Sequence, residues 1–151
     1  MNCNILITNC WLRSSYVTLR NLAGRGQKVF VSDSKRVGMS QFSKLKSKFY
    51  KYNSHYENEE KFVDKIIKIC YQEDIDFIIP SHNETEILAK HRKLIGEDLC
   101  RLIPQHDSCK LFNNKALAYD YARSLGVSVP HRYEYKNPKE FADDMYSKGV
   151  D

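Results

Sequence analysis

Short apolar runs alternate with amphipathic helical patterns along this chain, and that alternation constrains the fold more than any other feature. The run NILIT at residues 4–8 has the composition of a buried strand. Apolar residues then recur at helical spacing over residues 12–23, until Gly24 and Gly26 end the pattern. A second strand-like run, KVFVS, occupies residues 28–32. Because the intervening helix is long enough to cross over, the two strands are predicted to be parallel.

The same alternation continues through the middle of the chain. Residues 59–73 repeat apolar pairs at helical spacing and predict a strongly amphipathic helix. A short strand is predicted before this helix, at residues 49–52. After it the pattern predicts a strand at residues 76–79, a helix at residues 84–95 and a last strand at residues 99–103. Strands that alternate with helices predict an α/β fold, here a three-layer Rossmann-like sandwich with a mostly parallel sheet of four to five strands. The pattern does not give the order of the strands.

After Pro104 the pattern becomes purely helical. Three helical segments are predicted, at residues 107–112, 115–125 and 137–148. Asn137 would cap the last of them, because its side chain can accept from a free N–H group of the first turn. We therefore predict a Rossmann-like domain over residues 1–106, followed by a helical extension over residues 107–151.

The composition indicates a soluble globular protein. Of the 151 residues 42% are hydrophobic, and the formal net charge of +5 comes from interleaved acids and bases, which favours solubility over a polyanionic partner. The five cysteines form no CxxC pair and no zinc spacing, so we expect reduced thiols. The start MNCNILITNCW lacks the features of a signal peptide, and no apolar run reaches about 18 residues. The predicted location is the cytoplasm.

Ligands of open parallel sheets bind outside the carboxyl ends of the strands, so the loops after the strands are the places to examine. The candidates for a substrate wall, chosen by this position alone, are Asn9, Cys10, Ser81, His82, Asn83 and Glu84. Cys10 is not proposed as a nucleophile, because the sequence identifies no base beside it. Glu84 and Glu86 stand at a helix start, which the helix dipole favours without any function. A role in holding an amine or positioning a substrate is the alternative for these acids.

Several signatures of known chemistry are absent. The loop after the first strand contains no glycine, so the G-x-G-x-x-G fingerprint is missing and Asp33 is interpreted as a turn residue or cap. His82 and Glu84 form an H-x-E, but the P-C-x-x-C of the zinc deaminases does not follow, and no metal site is predicted. The sequence also has no Walker A segment, no G-x-S-x-G elbow and no Cys/His nucleophile pattern.

Lysines alternate with aromatic residues between positions 44 and 52. These residues are Lys44, Lys46, Lys48, Phe49, Tyr50, Lys51 and Tyr52. The mixture is typical of a nucleic-acid patch, but the aromatic rings can equally cover a sheet edge while the lysines stay solvated. The sheet-edge interpretation is favoured, so nucleic acid is not an expected partner.

Four segments, in this order, carry a resemblance to a known family. They are NILITNC, VFVSDSKRVGMSQFSKLKSKFYKYNS, DIDFIIPSHNETEILAKHR and LFNNKALAYDYARSLGVSVP. Together they resemble the N-terminal, pre-ATP-grasp domain of ATP-grasp carboxylate–amine ligases, in the branch of the carbamoyl phosphate synthase large chains. The last segment is similar to the junction of that family, in which a helix ends in a Gly-Val-Pro-like turn and leads into the ATP-grasp domain proper.

The resemblance implies an enzyme that uses ATP and Mg²⁺ to convert a carboxylate into an acyl phosphate, which an amine or another nucleophile then attacks. Lys115 occupies the position of a basic residue that contacts ATP phosphates in several such enzymes. An ammonium beside the free N–H groups of a helix start is a favourable place for a phosphate. The preceding residue is Asn114, where the family often has Asp, and this departure loosens the match.

The resemblance also implies that later domains of the same enzyme carry part of its function. Residues 107–151 would then hold the junction helices and the start of a truncated ATP-grasp domain, and the remaining ATP-grasp domains would bring most ATP and metal contacts. We expect no catalytic residue, no metal ligand and no tightly bound cofactor in this chain, and no turnover by it alone. The expected partners are those domains and small carboxylate and amine substrates, without a membrane; a homodimer stays open.

Two alternatives from other classes also stay open. One is a stand-alone Rossmann-like module that binds a small anion or a nucleotide. The other is an α/β domain that binds nucleic acid through the lysine- and tyrosine-rich segment.

Overall fold

Four parallel strands form the sheet around which this protein is built. The structure is a computed structural model that describes residues 2–35, 37–130 and 137–148. The strands are β1 (Asn4–Ile7), β2 (Lys28–Asp33), β3 (Lys48–Lys51) and β4 (Phe77–Ile79). Their order in the sheet is β3-β2-β1-β4, and every neighbouring pair is parallel. The first strand along the chain therefore lies inside the sheet, where both of its edges are paired.

Eight helices follow or separate the strands in the described residues. They are α1 (Arg13–Gly24), α2 (Met39–Phe42), α3 (Glu59–Gln72), α4 (Glu84–Lys90), α5 (Arg92–Ile95), α6 (His106–Asn113), α7 (Lys115–Ser124) and α8 (Pro138–Ser147). None of them is both long and apolar enough to cross a lipid bilayer. The chain divides into two compact units, residues 1–110 and residues 111–151.

Helices cover both faces of the sheet, which confirms the predicted three-layer sandwich. Successive side chains of a strand point to opposite faces, and the core is divided accordingly. Leu6 belongs to the larger cluster, together with Ile66 and other buried residues of α3. Ile7 belongs to the smaller cluster, together with Leu19 of α1. Both strand residues are fully buried, as expected of a central strand in a parallel sheet.

The amphipathic pattern of α3 explains why this helix forms where it does. The Asn58 side chain accepts from the Lys61 N–H group at 2.8 Å and caps the first turn, which also carries the acids Glu59 and Glu60. The helix buries Phe62, Val63, Ile66, Ile69 and Cys70. All five belong to the larger core cluster on that side of the sheet.

The predicted strand at residues 99–103 is wrong, because this segment consists of turns. The Cys100 N–H group donates to the Glu97 carbonyl, and the Ile103 N–H group donates to the Cys100 carbonyl, so local bonds satisfy the backbone. One bond reaches the sheet, from the Ile78 N–H group to the Leu99 carbonyl at 2.9 Å. The sequence pattern reflected the burial of Cys100 and Ile103 rather than a strand.

The single helix predicted at residues 84–95 is also corrected, since it is divided into α4 and α5 at His91. The His91 carbonyl accepts from both Leu94 and Ile95, which starts a new turn. Its ring nitrogen Nε2 lies 2.6 Å from Glu59 Oε1 on α3. We attribute the break to this anchoring of His91. The short helix α2 was not predicted at all.

The second unit contains α7 and α8, and neither helix buries a residue. Asn114 caps α7 by accepting from the N–H groups of Ala116 and Leu117 at 3.0 and 3.3 Å. Asn137 caps α8 by accepting from Glu140. At the end of α7, Gly126 adopts φ +77°, a left-handed conformation that favours glycine at a helix C-terminus.

Candidate functional site

The loops at the carboxyl ends of the strands border a cleft of about 330 Å³. Residues that line it include Asn9, Trp11, Asp33, Lys35, His55 and Glu84. They come from the ends of different strands, which a parallel sheet brings to the same edge. The cleft combines two deeply buried acids, one lysine at the rim and an aromatic side wall.

Asp33 fixes the loops on one side of the cleft. Its Oδ2 atom accepts from the Trp11 N–H group at 2.7 Å, and its Oδ1 atom accepts from the Lys35 N–H group at 2.8 Å. Lys35 Nζ in turn lies 4.4 Å from the centroid of the Trp11 ring. Asp33 is only 3% exposed and its oxygens are engaged by backbone groups, so its role is that of a turn residue.

Glu84 forms the floor of the cleft and is also only 3% exposed. Burial disfavours the charged carboxylate and raises the pKa of Glu84 to about 7, and the nearby Asp33 carboxylate acts in the same direction. Contacts with Thr8 and Tyr52 partly offset this rise in the pKa. A carboxyl group with such a pKa exchanges its proton near neutral pH.

Tyr52 orients the Glu84 carboxyl group. The Tyr52 hydroxyl donates to Glu84 Oε1 at 2.5 Å and accepts from the Asn9 N–H group at 3.0 Å. Burial, first of all, and then the Glu84 carboxylate raise the pKa of Tyr52, so the hydroxyl keeps its proton. The chain of hydrogen bonds from Asn9 through Tyr52 to Glu84 therefore has a fixed direction.

Three buried polar atoms around Glu84 have no hydrogen-bond partner among the residues that the structure describes. They are Glu84 Oε2, Thr8 Oγ1 and His55 Nε2. The Thr8 hydroxyl is near enough to lower the pKa of Glu84, but no hydrogen bond of good geometry joins the two groups. An unpaired buried polar group costs roughly 1–3 kcal/mol, and native proteins rarely leave several together without a ligand or water.

His55 closes the cleft beside Glu84. Its ring lies 4.0 Å from the Tyr56 ring and 5.7 Å from the Phe62 ring, measured between centroids. Its Nδ1 atom is 3.8 Å from Glu84 Oε1, which is too far for a hydrogen bond. Burial lowers the pKa of His55, so a neutral imidazole faces the acid at neutral pH.

The six predicted wall residues lie in different surroundings. Asn9, His82 and Glu84 line the cleft, and both Asn9 and His82 adopt positive φ angles, 49° and 60°. Cys10 is buried, and burial followed by the Asp33 carboxylate raises the pKa of its thiol to about 12. That thiol stays protonated at neutral pH.

Ser81 and Asn83 stand apart from the cleft lining. The Ser81 hydroxyl lies 3.0 Å from the Ser15 hydroxyl, which donates to the Asn9 carbonyl. The Asn83 side chain donates to the Tyr56 hydroxyl at 2.6 Å and lines a second cleft of about 480 Å³. Both residues thus hold the loops in place.

The second cleft shares His55 and Tyr56 with the first and is otherwise lined by Asn83 and by residues of α3, α4 and α6. Two of its charged residues, Glu59 and Lys90, pair with each other. Glu59 Oε1 accepts from Lys90 Nζ at 2.8 Å and lies 2.6 Å from His91 Nε2, and these two bonds, in that order, lower the pKa of Glu59. This pairing leaves Glu59 little capacity to bind a cation.

Sequence reasoning missed Tyr52, His55, Trp11 and Lys35 as parts of the site. Tyr52 directly follows β3, so the strand-end rule that selected Asn9 also applies to it. From the sequence, Tyr52 is interpreted only as part of the lysine- and aromatic-rich segment, either as a nucleic-acid patch or, as favoured, as the cover of a sheet edge. In the structure Lys48 pairs with Glu73 at 3.1 Å, and β3 is an edge strand, where lysines discourage pairing with other chains.

Lys115 is the first residue of α7 and is exposed. The expectation of free N–H groups beside it needs correction, because the Asn114 side chain already accepts from Ala116 and Leu117. The Ala118 N–H group donates to the Asn114 carbonyl. Lys115 therefore offers its ammonium rather than a cradle of backbone amides. Among the described residues, no group of three or more His, Cys, Asp or Glu side chains could hold a metal ion.

Solved structures share this fold, whereas no family model and no curated protein sequence matches the chain. An L-amino acid ligase from Bacillus licheniformis is similar with a TM-score of 0.69 and 12% identity, over 98% of this chain and 42% of the ligase. The biotin carboxylase subunit of a pyruvate carboxylase is similar with a TM-score of 0.59 and 17% identity, over 97% of this chain and 33% of that subunit. A third similar structure is the biotin carboxylase domain of a Hydrogenobacter thermophilus 2-oxoglutarate carboxylase, solved in complex with MgADP, ADP and bicarbonate. Its TM-score is 0.57 at 16% identity, over 97% of this chain and 33% of that domain.

At these identities the likeness is one of fold. The chain spans about two fifths of the ligase and a third of the two biotin carboxylases. The fold of this chain is thus the fold of domains found in ligases and carboxylases.

Proposed function

We propose that this chain is the substrate-side N-terminal domain of an ATP-dependent ligase, similar to carbamoyl phosphate synthase large chains, that activates a carboxylate as an acyl phosphate for attack by an amine. The observation that carries the proposal is the likeness to the L-amino acid ligase, which extends over 98% of the chain. The order of the four segments in the sequence supports the same class of enzyme.

Within that enzyme the strand-end cleft would form one wall of the substrate site. Asp33 holds the Trp11 and Lys35 loops, and Tyr52 orients Glu84, so the wall is preorganised before a substrate arrives. Trp11, Tyr56 and His55 line the same cleft as the Glu84 carboxyl group. This chain would therefore position a substrate and leave phosphoryl transfer to other domains.

ATP and Mg²⁺ would belong to the whole enzyme. When bound, ATP supplies the phosphoryl group that makes the carboxylate reactive. Lys115, with its exposed ammonium, fits the task of a point charge on an ATP phosphate. The biotin carboxylase domain with 16% identity was solved with MgADP, which supports a nucleotide site in enzymes of this fold.

The proposal can be tested by trapping the acyl phosphate with hydroxylamine. The full-length protein that contains this sequence is incubated with MgATP, hydroxylamine and one amino acid or other carboxylate at a time. We expect an ATP-dependent hydroxamate, detected by mass spectrometry, with at least one carboxylate. The 151-residue chain alone should form none. If no carboxylate in a broad panel gives a hydroxamate or releases phosphate, the ligase proposal is rejected.

A further inference from the structure

Glu84 has one oxygen whose partner is fixed and one that is left for a ligand. The oxygen of the Tyr52 hydroxyl already accepts from the Asn9 N–H group, so its single proton is directed to Glu84 Oε1. Among the described residues Glu84 Oε2 is buried without a hydrogen bond of good geometry, although the Thr8 hydroxyl lies near enough to the carboxyl group to lower its pKa. Because Glu84 lines the cleft, a molecule bound there can supply the missing donor.

The surroundings favour a protonated amine as that donor. Asp33, the other acid in the cleft, has its oxygens engaged by backbone N–H groups. His55 is neutral at neutral pH because burial lowers its pKa, so it adds no competing positive charge beside Glu84. Lys35 lies over the Trp11 ring and makes no ion pair in the described part of the chain. An ammonium group therefore meets one carboxyl oxygen that is left for a donor, Glu84 Oε2, and several aromatic rings, which attract cations.

We propose that Glu84 binds the substrate amine through Oε2 and accepts a proton from it. This inference rests on the proposed function, in which the amine is the nucleophile. An ammonium cannot attack, because its nitrogen has no free electron pair. When Glu84 takes the proton, the N–H bond breaks and its electron pair stays on nitrogen. The nitrogen then attacks the carbonyl carbon of the acyl phosphate, and phosphate leaves with the electron pair of the C–O bond. The leaving phosphate takes the second proton that the nitrogen must lose to become an amide.

The acid–base properties of the two groups are matched. The pKa of Glu84 is raised to about 7, and an α-amino group ordinarily has a pKa of about 7.7–8.0. Proton transfer between groups of similar pKa is close to thermoneutral, which is the condition for efficient general base catalysis near neutral pH. The other titratable groups near Glu84 are Asp33, Tyr52, His55, Cys10 and His82.

The binding half of the proposal can be tested on the chain itself by carbon-13 NMR of labelled glutamate. The Glu84 carboxyl resonance is assigned by its loss in Glu84→Gln and followed against pH. Methylammonium chloride is the probe, and tetramethylammonium chloride is its matched control, because it carries the same charge without an N–H donor. Glu86→Gln, two residues away and lining the other cleft, is the matched variant.

We expect methylammonium to lower the titration midpoint of Glu84, with at least a threefold rise in its acid dissociation constant, in the wild type and in Glu86→Gln. Tetramethylammonium should leave it unchanged. The amine site is overturned if methylammonium leaves the titration midpoint of Glu84 unchanged, or if both cations displace that midpoint equally. If Glu84→Gln does not fold, Tyr52→Phe assigns the same resonance, because losing the hydroxyl donor raises the pKa of Glu84.

The catalytic half is tested in the full-length enzyme with two nucleophiles. Hydroxylamine is largely neutral at pH 7 and needs no base, whereas an alkylamine is protonated there. We expect Glu84→Gln to retain most hydroxamate formation and to lose at least tenfold in kcat for ligation to an amine substrate. Equal retention of both activities overturns the role of Glu84 and leaves the ligase proposal intact. Absence of hydroxamate in the wild type would instead reject the ligase proposal.

Discussion

Glu84 is kept in the fold at a cost in free energy that depends on pH. The pKa of its carboxyl group is raised from 4.5 to about 7 by burial. A folded-state pKa above the unfolded value means that the folded protein holds this proton more tightly. The stabilisation is therefore complete below about pH 4.5 and is lost as the pH rises through about 7. Above that pH the buried charge lowers the free energy of unfolding, as is common for residues retained for function.

This linkage gives a prediction for Glu84→Gln, which keeps the shape of the side chain without the ionisation. The free energy of unfolding of the wild type should fall relative to the variant by up to roughly 3 kcal/mol between pH 5 and pH 8.5. Urea denaturation at several pH values measures the difference. Glu86→Gln serves as the control, and parallel pH profiles for wild type and Glu84→Gln would contradict the assigned burial of the charge.

The sequence could place Glu84 at a strand end but could not predict its burial. Position after an apolar strand is a local pattern, whereas burial depends on what packs above the residue. The contact that orients Glu84 joins it to Tyr52, 32 residues earlier, and His55 comes from the same distant loop. The helix-dipole explanation accounts for an acid at a helix start, yet it gives no reason for the raised pKa of Glu84.

Among the elements, α3 contributes five buried residues to the larger core cluster. Ile66 is fully buried in the larger cluster. Ile66→Ala should lower the free energy of unfolding by roughly 2–5 kcal/mol, because it removes buried methyl groups and leaves a cavity. Lys68→Ala on the exposed face of the same helix should change it by less than about 0.5 kcal/mol. Urea denaturation of both variants decides this, and similar values for both would contradict the described face of α3.

Elements with a strong period were predictable from the sequence, and those set by tertiary contacts were not. The period-three-to-four pattern of α3 and the apolar run of β1 are local properties, so both were predicted nearly to the residue. The division at His91 depends on a contact with Glu59 on another helix. The turns at residues 99–103 have the apolar composition of a strand because Cys100 and Ile103 are buried, although local carbonyl groups satisfy the backbone.

At the scale of the whole molecule, the prediction concerns Lys115 in the second unit. If Lys115 contacts an ATP phosphate in the full-length enzyme, Lys115→Ala should raise the KM for ATP at least tenfold. The KM for the carboxylate should change far less, because removal of a positive charge weakens phosphate binding alone. Steady-state kinetics with varied ATP measure this. Lys139→Ala, on the exposed face of α8, is the control, and an unchanged KM for ATP with an intact fold would make Lys115 an ordinary solvated lysine.

Trp11 gives the molecule a built-in optical probe of its cleft. It is the only tryptophan of the chain, it is 47% exposed, and it lines the same cleft as Glu84. The Trp11 backbone packs closely against Gly38, because a Cβ atom at Gly38 would lie 3.0 Å from the Trp11 Cα atom. Tryptophan fluorescence, excited at wavelengths where the ten tyrosines of the chain do not absorb, therefore reports on this cleft without labelling. A small molecule that binds against the Trp11 ring can be found by its effect on the emission of this one residue, before its chemistry is known.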